Sequence, residues 1–447
     1  MSILFWVAFT AFCLLALFRL FKGDVFGIYG YVLFGVYVPL GLFFVGWSGY
    51  VDPRIQTAFY VLFIQFSVVL CAFMITEGDY LKPLQGKIRS RRRGLVVVAM
   101  TFVFVACTLA ENQMGSGVFL PALSGIDIHT YHAPIIVYVT KSIYVVCGAN
   151  LFAIVSADRW WKRFLHIFLI SVVLFVFVFG KSARIEVAML LVQLAGLGLF
   201  LGGRAIWSHI GRIRPSVVIG SVALMLLVVR VFASVGDSRS SHYGQYDVAD
   251  YGTSIDYTGP QLLGKWMSWY YGYFPLSFNN LNLSIGSSGI GHSLLGFDAF
   301  KWLYFGLFQF DNILGMDAYN ADHHSVYLIP QAIVTTGFWD IIYDFGYFSF
   351  LVFVLSLLYY RFLKKRVQSD HASLGDIGVY FYWVPTWFFM SFQNFSFDVF
   401  VASNIIFCYL LFPRLYYPPL RQEASLGSAG NVLSESFLEP TQNRRPR

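Results

Sequence analysis

Residues 164–202 read FLHIFLISVVLFVFVFGKSARIEVAMLLVQLAGLGLFLG, which is two long apolar runs joined by the short polar turn GKSAR at 180–184. A helix needs about 20 apolar residues to cross the hydrocarbon core of a bilayer, and each run approaches that length. A turn this short joins neighbouring antiparallel helices. The stretch therefore predicts a hairpin of membrane-spanning helices.

The same alternation of apolar runs and short polar loops extends over most of the chain. The sequence is 57% hydrophobic and 12% charged, which excludes a soluble domain with a single anchor. We predict an all-α polytopic membrane protein with about eleven transmembrane helices. The predicted spans are 2–18, 25–47, 55–75, 95–110, 133–156, 164–180, 185–202, 216–235, 341–360, 377–393 and 397–413.

Most of the 31 Lys and Arg residues lie on alternate loops and on the C-terminal tail. The basic loops include a run at 87–93 and a cluster at 361–366. By the positive-inside rule this side is cytoplasmic, so the N-terminus lies outside and the C-terminus inside. The net charge of +7 suits contact with anionic lipid head groups, and the sequence indicates no nucleic-acid partner.

The spans divide the chain into four sections. N-terminal transmembrane helices occupy 1–235, a large outward section 236–340, C-terminal transmembrane helices 341–413, and a disordered cytoplasmic tail 414–447. The outward section is rich in aromatic, Asn and Asp residues and includes interfacial or re-entrant helices. Its aromatic faces and amides suit a sugar, or alternatively form an interfacial aromatic belt. The candidate sugar-binding residues are Trp269, Tyr270, Asn279 and Asn280.

A few cations lie on the outward side or inside a span, where the orientation rule does not explain them. Buried charges in spans are costly and usually have a role, so we interpret these cations as a site for a diphosphate. The alternative is that Lys181 and Arg184 only end adjacent helices. Lys141 either extends toward the interface or pairs with Glu186. The candidate diphosphate-binding residues are Arg184, Lys181, Arg230, Arg239 and Lys141.

Four residues are candidate proton acceptors. The pair His323 and His324 lies in the outward section, and a histidine titrates near neutral pH; the alternative is a polar turn before an apolar segment. Glu186 and Asp344 are the carboxylate candidates. The spacing of the histidines and acids does not suit a metal, and no cofactor is predicted.

Three short motifs resemble Wzy-type polysaccharide repeat-unit polymerases such as O-antigen polymerases. They are FGKSAR ending at Arg184, WYYGYFPLSFNN at 269–280, and His324-Ser325 followed by Thr336-Gly337, a pattern shared with O-antigen ligases.

The resemblance implies a glycosyltransferase of the bacterial inner membrane. It would move a growing glycan from undecaprenyl diphosphate onto a new lipid-linked repeat unit at the periplasmic face, in O-antigen or exopolysaccharide biosynthesis. Membrane lipids and a chain-length regulator protein are the further partners it implies. The alternatives are an O-antigen ligase and a lipid-linked oligosaccharide flippase or other transporter.

Overall fold

The computed structural model describes residues 1–84, 88–90, 94–121, 136–181, 184–202, 255–260, 265–292, 295–296, 299–300, 326, 336–369, 371–392 and 400–417. These residues are mostly helical. The described helices are α1 Ser2–Phe21, α2 Ile28–Val32, α3 Val38–Val45, α4 Thr57–Thr76, α5 Gly94–Ser116, α6 Ile136–Thr140, α7 Ile143–Ser156, α8 Trp160–Lys181, α9 Arg184–Leu201, α10 Lys265–Tyr273, α11 Pro275–Ser288, α12 Phe338–Phe345, α13 Ser349–Gln368, α14 Leu374–Trp383 and α15 Val401–Leu415. A π-helical turn, Leu33–Tyr37, joins α2 to α3, and 3-10 turns at Gly346–Phe348 and Val384–Phe389 follow α12 and α14.

Six helices of the described part are long and apolar enough to cross a membrane. They are Ser2–Phe21, Ile28–Val45, Thr57–Thr76, Gly94–Ser116, Trp160–Gly180 and Phe338–Gln368, and Ile143–Ser156, Glu186–Leu201 and Val401–Leu415 are shorter apolar helices. Large apolar side chains on their outer faces are exposed, for example Phe102, Phe168 and Leu355. Extended exposed apolar surface is unusual on a soluble monomer and suits contact with lipid. The chain is therefore a helical protein with the character of a multi-pass membrane protein.

Several of the cation-rich segments that the structure describes meet at one end of the bundle, which we call the basic end (residues 19–28, 76–84, 88–90, 361–369 and 416–417). The Leu84 amide donates to the Phe200 carbonyl at 2.9 Å, so the end of α9 lies there as well. Two short strands, β1 Arg89–Ser90 and β2 Tyr416–Tyr417, pair antiparallel with Arg89 opposite Tyr417. Ordered structure thus extends past 414, where the sequence predicts the start of a disordered tail.

Four charged side chains form a buried network at the basic end. Arg19 bonds to Asp24 at 2.7 Å, and Lys364 bonds to Glu77 at 2.6 Å. The Arg19 guanidinium lies 3.5 Å from the Glu77 carboxylate and also donates to the Met74 carbonyl. The network joins the ends of α1, α4 and α13. Because each charge faces an opposite charge, the burial cost of isolated ions is offset.

Segments that the sequence predicts to be outward meet at the opposite end, which we call the aromatic end (residues 46–56, 255–260, 265–292 and 336–346). The Gly49 amide donates to the Asp256 carbonyl at 3.1 Å, and the His292 amide donates to the Tyr343 carbonyl at 2.8 Å. The predicted span 216–235 lies outside the described residues.

Two segments near the bundle centre approach each other at the level of the backbone. Gly35, in the π-helical turn, packs so closely on Phe388 that a Cβ atom there would overlap the Phe388 backbone. Pro39 lacks an N–H and cannot bond to the Gly35 carbonyl, which explains the wider turn before it. Pro385 also lacks an N–H, but there the α-helix ends and a tighter 3-10 turn, Val384–Phe389, follows, so the described part of the predicted span 377–393 is not one continuous α-helix.

Candidate functional site

The predicted continuous span 133–156 is broken at Lys141 and Ser142, between α6 and α7. The break frees the Lys141 carbonyl from the helical pattern. The side-chain amide of Asn404, in the first turn of α15, donates to that carbonyl at 3.2 Å. A freed backbone group inside a bundle must find a partner, and Asn404 supplies it. The break places Lys141 where its side chain is partly exposed.

Lys141 forms an ion pair with Glu186. The distance from Nζ to Oε1 is 2.6 Å, and the side chains are 20% and 28% exposed. Of the two alternatives that the sequence left for Lys141, the structure shows the pairing with Glu186. Glu186 lies in the first turn of α9, where the helix dipole also favours a negative charge. The Lys141 ammonium is 5.7 Å from the centre of the Phe400 ring, a cation–π distance.

A second carboxylate near the break, Glu111, is absent from the sequence-based candidates. Its side chain is fully buried and accepts a hydrogen bond of 2.7 Å from the Thr140 hydroxyl, one residue before Lys141. The predicted span ended at 110, whereas α5 continues to Ser116. Thr101, Thr108 and Glu111 fall on one buried face of α5. A polar stripe at helical spacing in an apolar helix was the available signal.

The turn that carries Lys181 and Arg184 lies beside the same region. Lys181 is the last residue of α8, and Arg184 is the first residue of α9, two positions before Glu186. Gly180 packs against the Asn112 amide so closely that a Cβ atom would overlap it. Since Asn112 follows Glu111 on α5, the helix ends at 181 and 184 belong to the neighbourhood of Glu111 and Glu186.

The aromatic section packs against the same helix, α9. Tyr273 stacks on Trp269 and on Phe392, with ring centres 5.6 and 5.5 Å apart. Phe392 and Phe389 form a cluster whose partly buried neighbours are Ala188, Met189, Val192, Tyr273, Phe274 and Phe388. Ala188 follows Glu186 by two residues. One helix therefore carries the ion pair at its start and the aromatic cluster directly after it.

The predicted sugar-binding residues occupy different environments. Trp269 is buried, whereas Tyr270 is half-buried and stacks on Phe274 with ring centres 5.2 Å apart. The Asn279 amide accepts from the Asp52 amide at 2.9 Å and donates to the Tyr50 carbonyl at 3.2 Å. Both polar atoms of this buried side chain thus hold the loop at 50–56, and direct contact with a glycan requires that loop to move.

Asn282 repeats this arrangement one turn later. It accepts from the Gln56 amide at 2.8 Å and donates to the Arg54 carbonyl at 2.9 Å. Asn280 lies between the two positions and is also buried. The Asn-rich face of α11 therefore fixes the first outward loop at the aromatic end.

Of the remaining candidates, the described part of the chain includes one, Asp344. Asp344 is fully buried in α12, and its Oδ2 accepts from the Ala299 amide at 2.8 Å. This contact holds the segment around 299 against α12. His323, His324, Arg230 and Arg239 lie outside the described residues, as do most residues of the section 294–340, where the sequence predicts interfacial or re-entrant helices.

Comparison with known proteins identifies no similar protein. The chain matches no protein-family model, no curated protein and no solved structure.

Proposed function

We propose that this protein is a multi-pass glycosyltransferase of the bacterial inner membrane that polymerises lipid-linked oligosaccharide repeat units. The observation that supports it best is the arrangement on α9. Glu186 of the partly exposed ion pair lies within one turn of Ala188 and Met189, which pack on a cluster of stacked aromatic rings. A cation and aromatic faces that both adjoin the start of one helix suit a ligand that has a phosphate group and sugar rings.

In this proposal the residues at the break bind the donor. Lys141, with Arg184 and Lys181 at the adjoining helix ends, binds the diphosphate of the undecaprenyl-linked glycan and stabilises its charge as it leaves. The acceptor hydroxyl oxygen forms a bond to the anomeric carbon, and the bond from that carbon to the diphosphate breaks. The acceptor proton passes to a base, for which His323, His324, Glu186 and Asp344 remain the candidates. Glu186 is the candidate that lies next to Lys141.

A flippase or other transporter is the second candidate, and the break at Lys141 favours it. Discontinuous membrane helices with freed backbone groups are typical of transporter binding sites. An O-antigen ligase has the same requirements as a polymerase and differs in its acceptor.

Loss of a polymerase, a ligase or a flippase would each change the surface polysaccharide in a different way. An Arg184 variant therefore distinguishes the three functions. We expect Arg184→Ala to lower polymer formation by about 10²–10³-fold, because one donor to the developing charge is lost. Cells would then show glycolipid with a single repeat unit in a gel profile. A ligase defect would leave bare glycolipid with polymer on its carrier, and a flippase defect would trap repeat units on the cytoplasmic side.

The matched variant is Arg184→Lys, which we expect to restore polymer partly, since it keeps the charge but loses the bidentate geometry. Membrane expression of both variants is measured first. A wild-type polymer ladder from well-expressed Arg184→Ala would remove Arg184 from the site.

The proposed orientation places the N-terminus and the section 236–340 outside and the C-terminus in the cytoplasm. We expect a membrane-impermeant thiol reagent to label a cysteine at position 254, but not one at 425, in intact cells with a permeable outer membrane. The five native cysteines would be replaced first. Labelling at 425 and protection at 254 would contradict this orientation and indicate the reverse one.

A further inference from the structure

Two ion pairs of the described part of the chain have equal length but different exposure. Lys364 and Glu77 at the basic end are 2.6 Å apart, and their side chains are 3% and 8% exposed. Lys141 and Glu186 are also 2.6 Å apart, but their side chains are 20% and 28% exposed. A fully buried ion pair, such as Lys364–Glu77, is not accessible to another ion. An incoming ion can reach a partly exposed pair, such as Lys141–Glu186. The pair at the helix break is therefore suited to exchange.

Other contacts hold Lys141 in place independently of Glu186. Its amide donates to the Val137 carbonyl at 2.8 Å, and its carbonyl accepts from Asn404. The centre of the Phe400 ring lies 5.7 Å from the ammonium. The cation would thus stay in position, and partly stabilised by the ring, when its carboxylate partner moves away.

An independent feature of the break is a buried acceptor that a donor group of a ligand would satisfy. Asn404 is 2% exposed, and its Oδ1 atom has no hydrogen-bond partner within the described part of the chain. The Nδ2 atom of the same amide is the one that bonds to Lys141. A buried acceptor without a donor is unfavourable, so a hydroxyl or other donor from a ligand would satisfy it.

We propose that Glu186 is a resident counter-ion that the phosphate of the ligand displaces from Lys141. In the ligand-free protein the carboxylate neutralises the ammonium and favours the closed pair. The phosphate oxygens replace it as acceptors, because a phosphate carries more charge and more acceptor atoms than a carboxylate. Identification of the ligand as a lipid-linked diphosphate rests on the proposed function, whereas the exchange itself requires only an accessible phosphate.

Binding measurements on the full-length protein in lipid nanodiscs test the exchange. The probes are farnesyl diphosphate, which presents the group on a lipid, and inorganic diphosphate, which presents it in solution. We expect Glu186→Gln to bind farnesyl diphosphate about fivefold more tightly than the wild type, because the internal competitor is gone. We expect Lys141→Gln to bind it at least tenfold more weakly. The control Asp79→Asn removes the same charge from an exposed site at the basic end and should leave the affinity unchanged.

Unchanged or weaker binding by Glu186→Gln would overturn the exchange. If that variant does not fold, Glu186→Asp serves instead, and it should show a smaller gain in the same direction. A gain seen only with inorganic diphosphate would overturn the assignment of a lipid ligand. If Glu186→Gln binds more tightly while Lys141→Gln cells keep a wild-type polymer ladder, the exchange stands and the proposed function fails. If Lys141→Gln cells stop at one repeat unit while Glu186→Gln binding is unchanged, the exchange alone fails.

Discussion

Substitution of Glu77 by Ala is expected to lower the free energy of unfolding by about 3–5 kcal/mol, the usual cost of removing one partner from a buried ion pair. Glu77 accepts from Lys364 at 2.6 Å and from the Tyr29 hydroxyl at 2.6 Å, and Arg19 lies 3.5 Å away. Without the carboxylate, two buried cations would face each other with Asp24 as their remaining acidic neighbour in this network. Unfolding by SDS titration in mixed micelles would measure the loss.

Asp79, two residues further along, is the matched control. Its side chain is exposed, so Asp79→Ala should change the free energy of unfolding by no more than about 0.5 kcal/mol. Glu77→Gln keeps the shape of the side chain and should lie between the two. A loss below about 1 kcal/mol for Glu77→Ala would show that the network contributes little to stability.

Gly35→Ala is expected to destabilise the bundle by about 3 kcal/mol or more, at the upper end of the cost of overpacking. The added methyl group would overlap backbone atoms of Phe388, and a backbone moves less easily than the end of a flexible side chain. Close backbone contact at small residues is a common mode of helix association in membranes. We expect a large loss of folded, monodisperse protein in detergent and a lower melting temperature.

Gly41 provides the comparison within the same apolar stretch. A Cβ atom at Gly41 would lie 3.5 Å from the Phe9 ring, which is ordinary contact. Because Ala favours a helix over Gly by about 1 kcal/mol, Gly41→Ala should be neutral or slightly stabilising. Equal behaviour of the two variants would show that the packing at Gly35 is not tight.

The features that the sequence predicts well depend on local composition. Long apolar runs predict α1, α4 and α8 because lipid requires them, whatever their neighbours are. The pairing of Lys141 with Glu186 was also predictable, since a charge in a span requires a partner and few are within reach.

The features that the sequence does not predict depend on contacts between residues far apart in the chain. Neither Pro nor Gly marks the break at Lys141, and the partner that satisfies the freed carbonyl, Asn404, lies 263 positions away. Asn279 suggests a sugar ligand by its residue type, but its amide bonds to backbone 227 and 229 positions away. In both cases one side chain satisfies backbone groups from another part of the chain, and residue type alone does not show this.

The buried network at the basic end also has a consequence for biosynthesis. Lys364 is made 287 residues after Glu77, which at 5–20 residues per second is a delay of about 15–60 s. During that interval Glu77 has Arg19 and Tyr29 as partners, and Arg19 has Asp24, all within the first part of the chain to leave the ribosome. In the early helices Arg19 therefore serves both carboxylates, and Lys364 supplies the second cation, which balances the network, when the late helices are inserted.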